Sequence, residues 1–154
     1  MESSLRSARV TLDDLAGHFR ACTLPRGEWT HTAHLRVGTW HVHHFGADTA
    51  LSMMRTGIRR LNDFHGTPNT ETGGYHETIT VAYVRLIAEF LGTDRADGGI
   101  ENRVDVLLAS PLARPGVLST FWTPALLFSP RARAEWVAPD LAPLTLGRVV
   151  GRVA

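Results

Sequence analysis

The stretch DTALSMMRTGIRRLNDFH, residues 48–65, decides the fold. Ala50, Met53, Met54, Gly57, Ile58 and Leu61 recur at steps of three and four, which puts them on one face of an α-helix. Arg55, Arg59 and Arg60 lie elsewhere on its surface, and Gly66 ends the run. A helix with one apolar face is stable only when that face is covered by other elements. The flanking sequence is therefore read for segments of the same period.

Upstream, Thr11 with Asp14 three residues on forms a capping-box variant for a helix over 11–22, whose stripe is Leu12, Leu15, Ala16 and Phe19. Residues 23–28, with Pro25 and Gly27, make a turn, and Thr30 caps a second helix over 31–45, stopped by Gly46. Downstream, residues 66–74 (GTPNTETGG) form a loop. A further helix runs from Tyr75 to Leu91 on the stripe Tyr75, Ile79, Ala82, Tyr83, Leu86 and Phe90, with Gly92 as its stop. After a connection holding Asp94, Asp97, Gly98 and Gly99, a shorter helix covers 100–109 and ends at Ser110-Pro111. Pro111, Pro115, Pro124, Pro130, Pro139 and Pro143 break the last third into short helices, one of them capped by Ser129 with Pro130 in its first position. No strand-like alternation of useful length occurs. The expected fold is all-α: a single compact helical bundle over 11–146, with about five main helices and short C-terminal ones. Residues 1–10 are expected to be a flexible N-terminus and 147–154 a C-terminal tail.

The chain has 154 residues and is 44% hydrophobic, enough for one domain with a real core. Sixteen basic residues against fifteen acidic leave a net charge of +1, which argues against nucleic acid as a partner. Every basic residue is arginine; without lysine, Schiff-base chemistry and lysine-based phosphate loops are excluded. The single cysteine, Cys22, forms no internal disulfide and suits a reducing compartment. No apolar run approaches 18 residues, so no membrane span is expected, and the polar segment Met1–Arg9 lacks the apolar core of a secretion signal. The expected location is the cytoplasm.

Eight histidines stand out. In Trp29-Thr30-His31-Thr32-Ala33-His34-Leu35, His31 and His34 lie three apart at a helix start and project from one side. His41 lies two turns beyond His34, and Gly38 between them leaves space above the backbone. The second segment is Tyr75-His76-Glu77-Thr78-Ile79-Thr80, after a Gly-Gly hinge. His76 and Thr80 share a face there. The unpaired N–H groups of the first turn disfavour protonation of His76, which would leave its imidazole free as base or ligand. Glu77 is either a base or a complement to the helix dipole. Histidine and carboxylate together serve two chemistries: binding a divalent transition metal, with an open position in catalytic sites, or metal-free general acid–base catalysis.

The metal version uses His31, His34 and His76, with Glu77 or Asp140 as a fourth ligand or base. His76 and Glu77, adjacent on a helix, point about 100° apart and do not share one ion. Substrate-binding candidates are Tyr75, Thr80, Asp140, Asn62 beside the 66–74 loop (itself a candidate lid), and Arg36 and Arg85 for an anionic group. His18, His43 and His44 are assigned to surface or core. Trp40, Phe45 and Trp122 are candidates for the core or for a homodimer contact.

Three ordered motifs, "THxxHL" led by Trp29, "YHETIT" at 75–80 and "LxSxxARxxWVxPDLxPL" at 127–144, resemble those of a family of small all-helical bacterial proteins to which no reaction is assigned. The resemblance covers residues 12–146. In length and pattern the chain also resembles the small cyclase-type proteins associated with aziridine rings in azinomycin-type natural products. That resemblance implies intramolecular attack of an amine on a carbon bearing a sulfate-like leaving group. His31, His34, His76 and Glu77 would act as base or orienters, and Arg36 or the helix start at Tyr75 would receive the anion. The expected function is a small enzyme acting on a polar small molecule in a His/Glu-lined pocket. The alternatives are that cyclase and a non-catalytic metabolite-binding protein.

Overall fold

The structure is a computed structural model and describes residues 10–93 and 98–150. Among these residues every regular element is helical. The longer helices are α1 (Leu12–Arg20), α2 (His31–Phe45), α3 (Ala47–His65), α4 (Glu77–Thr93) and α5 (Ile100–Leu108). Three short ones follow, α6 (Pro124–Leu127), α7 (Pro130–Ala134) and α8 (Leu146–Val150), with 3₁₀ turns between α5 and α6. The expected all-α domain of five main helices with short C-terminal ones is what is observed.

The caps explain the boundaries. Thr11, Thr30 and Ser129 each accept a backbone N–H from the first turn of the helix they open. Gly66 adopts the left-handed conformation, φ 74°, that ends α3. The expected bounds of α4 are corrected. The α4 helix starts at Glu77, because His76 is its cap, and it runs through Gly92 to Thr93. The α8 helix occupies the start of the expected C-terminal tail, because Leu146 is buried in the core. The flexible N-terminus lies outside the described residues, apart from Val10, which packs on the core.

The α2 helix is the axis of the fold, packing on α1, α3, α4 and α5. Apolar side chains gather on its two sides. Leu15, Phe19, Leu24, Val37, Met54 and Leu61 join α1, α2 and α3. On the other side, Leu35, Leu86, Ile87, Leu107, Phe121 and Trp122 join α2, α4, α5 and the C-terminal third. Gly57 of α3 is needed for the first of these clusters: a Cβ there would lie 2.4 Å from the Phe19 ring.

Hydrogen bonds dock the proline-rich third on α4. Thr78 Oγ1 donates to the Glu135 carbonyl at 2.8 Å and accepts the Val137 N–H at 3.1 Å. The indole N–H of Trp122 donates to the Val137 carbonyl at 3.1 Å. Trp122 is fully buried, which resolves its assignment to the core; Trp40 is half-buried and donates to Asp13, and Phe45 is exposed. No helix among the described residues is long and apolar enough to cross a membrane.

Candidate functional site

The starts of α2 and α4 do frame a cavity, but not with the expected set of side chains. A cavity of about 330 Å³ lies between α2, α3 and α4. Its walls are aliphatic, with Leu35, Met54, Ile58, Val84 and Ile87 among them, and its polar groups are His31, His34, Thr80 and Tyr83. Gly38 lines it as expected, leaving open the space a side chain on α2 would take. This size, with apolar walls and few polar groups, is the usual make-up of a small-molecule site.

The two histidines are held in defined tautomers. His34 Nδ1 lies 2.7 Å from the Thr30 carbonyl, which can only accept, so Nδ1 carries the proton and Nε2 the lone pair. The same carbonyl takes the His34 backbone N–H at 2.9 Å. Trp29 stacks on the imidazole at 3.7 Å between centroids and fixes the plane of the ring. Among the described residues His34 Nε2 has no hydrogen-bond partner. Burial holds its pKa below the ordinary 6.5; the Thr30 carbonyl pulls the other way and neighbouring His31 adds to the lowering. The half-buried, neutral imidazole therefore keeps an open lone pair near neutral pH. By the same logic His31 donates from Nε2 to the Ala113 carbonyl at 3.0 Å, so Nδ1 is its acceptor.

His76 is not free. Its Nε2–H donates to the Leu127 carbonyl at 2.7 Å, and its Nδ1 accepts the Ile79 N–H at 3.1 Å. The imidazole thus caps α4 and fastens it to α6. Protonation would turn Nδ1 into a donor facing another donor. Burial lowers the His76 pKa further, with the positive charge of Arg133 assisting and the Leu127 carbonyl opposing. Neither nitrogen is left for a base or a metal, and the expected trio of His31, His34 and His76 does not assemble. Among the described residues no three His, Cys, Asp or Glu side chains are placed to share an ion.

Glu77 is paired as well. Arg55 meets it through two bonds, Nε to Oε1 at 2.9 Å and a terminal nitrogen to Oε2 at 2.6 Å, and the Tyr75 hydroxyl donates to Oε1 at 2.6 Å. The Arg55 bond, more than any other influence, holds the Glu77 carboxyl below its usual range. Burial and then the Glu77 bond push the Tyr75 hydroxyl up to about 12. This triad ties the start of α4 to α3.

The remaining expected residues are dispersed. Arg36 lines a separate groove with Leu15 and Glu28, away from the cavity that His34 lines. Asn62 donates to Asn69 Oδ1 at 2.9 Å, and the same oxygen accepts the Tyr75 N–H at 2.9 Å. These bonds pin the 66–74 loop, and Gly74, at φ 80°, leaves no room for a Cβ beside the Pro68 carbonyl. Arg85 sits over the Trp136 ring at 4.4 Å. Asp140 accepts the Thr123 N–H and hydroxyl, capping α6, and these bonds lower its pKa. His41 is buried in the core, its Nδ1–H on the Val37 carbonyl.

Tyr83 is the functional candidate that the sequence pattern hides. It belongs to the apolar stripe of α4, yet it is half-buried and lines the cavity. Its hydroxyl has no hydrogen-bond partner among the described residues, and burial pushes its pKa up to about 12, so it stays a donor. The signal available in sequence was a polar-tipped aromatic one helical turn after Ile79 and beside Thr80. No protein-family model, curated protein or solved structure matches this chain.

Proposed function

We propose that the chain is a small general acid–base enzyme acting on a molecule with an apolar body and one polar reacting group, with His34 as the base. The observation that carries this is the His34 imidazole: one nitrogen tied to the Thr30 carbonyl, the other an unpartnered lone pair, in a largely aliphatic cavity. A backbone carbonyl orients the ring and sets its tautomer, as an orienting partner does for a catalytic histidine. Tyr83 supplies an unpartnered hydroxyl in the same cavity, whereas the Thr80 hydroxyl donates to the His76 carbonyl at 2.9 Å. The apolar walls favour a less polar substrate than the residue types alone suggested. The cyclase chemistry, which also needs a cation to receive the leaving anion, is less well supported, because Arg36 is not among the residues lining this cavity.

The test uses 4-nitrophenyl butanoate, an activated ester with a short apolar chain. Hydrolysis is expected to exceed that by the same concentration of free imidazole and to fall as pH drops through the lowered His34 pKa. His34→Ala is expected to lower kcat/KM by about a hundredfold, the smaller end of what a positioned base supplies, with cooperative unfolding retained. An unchanged rate in His34→Ala would refute the assignment. Saturable binding of an apolar alcohol, read by calorimetry, without any turnover would instead establish a non-catalytic binding protein and overturn the enzymatic reading.

A further inference from the structure

A second cavity, of about 380 Å³, adjoins the first, and His31, Ile79 and Tyr83 line both. All three shared side chains are half-buried. The walls differ in character. The first cavity is aliphatic, whereas the open sides of the second are Phe128, Pro115 and Pro124, with the fully buried Trp122 beneath them. Flat rings and prolines suit an aromatic or cyclic group, and branched aliphatic side chains suit a flexible chain.

The polar groups at the boundary form a complementary pair. The Tyr83 hydroxyl is an unpartnered donor. His31 spends its Nε2–H on the Ala113 carbonyl and keeps Nδ1 as an acceptor. The two rings meet edge to face, 6.1 Å between centroids. A secondary amide offers both an acceptor, its C=O, for the Tyr83 hydroxyl and a donor, its N–H on the opposite edge, for His31 Nδ1. Burying either protein group without such a partner costs free energy, so a ligand that supplies only apolar atoms here binds less well.

We infer that the chain binds two-armed secondary amides, an alkyl arm in the aliphatic cavity and an aromatic arm in the Phe128 cavity, with the amide hydrogen-bonded to Tyr83 and His31. This deepens the acid–base reading and rests on its choice of the His34 cavity. The amide places its polar group on the same cavity wall as His34, and the arms supply the remote binding that positions it.

The probe is N-butyl-2-phenylacetamide, with N-butylacetamide and N-methyl-2-phenylacetamide as single-armed controls and butyl phenylacetate as the ester lacking the N–H. Affinity is read by calorimetry and by competitive inhibition of 4-nitrophenyl butanoate hydrolysis. The two-armed amide is expected to bind at least about tenfold more tightly than either control or the ester, a difference of about 1.4 kcal/mol. Tyr83→Phe, which keeps the ring, should remove about tenfold of that affinity.

Gly38→Leu should abolish the benefit of the butyl arm, and Ser119→Trp that of the phenyl arm, each sparing the opposite single-armed control. If Gly38→Leu fails to unfold cooperatively, Ile58→Phe, on the α3 side of the same cavity, takes its place. Single-armed binding with no gain from the second arm, or equal affinity for ester and amide, would overturn the inference and leave the His34 assignment standing. Tight two-armed binding in a protein whose ester hydrolysis ignores His34→Ala would support the amide site and sink the acid–base reading instead.

Discussion

Replacing Gly57 by alanine is expected to destabilise the protein, although it removes a glycine from the interior of a helix. On helix propensity alone the change should stabilise α3 by about 1 kcal/mol. Packing opposes it. The new Cβ would lie 2.4 Å from Phe19 Cζ and 2.5 Å from Cε2. Contacting carbons sit about 3.5–4.0 Å apart, so the ring must retreat by about 1 Å. Phe19 is only 2% exposed, stacks on Trp29 at 5.1 Å and meets the edge of His41 at 5.6 Å. A rigid ring between two others has little space to yield, which puts the cost near the upper end of the 1–3 kcal/mol typical of overpacking.

The net loss is then about 2 kcal/mol, or a fall in Tm of roughly 4–8 °C for a chain of this size. Urea unfolding of wild type and variant at equal m measures it. Gly17→Ala is the control: it is helical, a Cβ there meets nothing within 4 Å, and it should gain close to the full propensity term. Adding Phe19→Leu to Gly57→Ala should cost less than the two single losses combined, because the smaller side chain relieves the clash. A midpoint for Gly57→Ala at or above wild type would refute the packing argument.

The His76 bonds predict that His76→Ala destabilises by about 2–4 kcal/mol, since a helix cap and a buried bond to Leu127 are both lost. His76→Asn, which can still cap α4, should recover part of this in urea unfolding, and a loss below 0.5 kcal/mol would contradict the stapling role. Stability should also depend on pH in a defined direction. His34, His41 and His76 all have pKa values lowered in the fold, chiefly by burial. Below the unfolded value of about 6.5 the unfolded chain takes up protons that the folded chain refuses, so stability is full above that pH and declines as pH falls toward the folded values. Urea midpoints measured from about pH 7.5 down to about pH 5 should fall steadily, and His76→Asn should flatten the slope; a midpoint that rises on acidification would reverse the sign of the argument.

Local signals carried most of the secondary structure. Thr11, Thr30 and Ser129 were recognisable as caps because a short hydroxyl side chain before an apolar stripe has one cheap use, accepting an orphan N–H. Gly92 misleads because a glycine near the end of a stripe reads as a stop, whereas α4 continues to the exposed Thr93, whose hydroxyl bonds the Glu89 and Phe90 carbonyls. In the site, His31 and His34 were legible from their spacing at a helix start. Arg36 was not, since two residues along a helix put a side chain on a different face from its neighbour at 34. The His76 motif was legible as a helix start but not as a staple: its partner, the Leu127 carbonyl, lies 51 residues away.

The sequence by itself determined an all-helical chain with its main stripes, its caps and a pair of histidines at the start of α2, because periodicity and capping depend on neighbours within one or two turns. Only the tertiary structure decided which imidazole keeps a free nitrogen. The Thr30 carbonyl that orients His34 lies within one helical turn, but the carbonyls that engage His31 and His76, Ala113 and Leu127, lie 82 and 51 residues away. The tertiary structure also decided that Arg55 neutralises Glu77, and that Tyr83, hidden in an apolar stripe, holds an unpartnered hydroxyl where two cavities meet. Hydrogen-bonding capacity is a property of residue type, but whether it is already spent depends on long-range packing.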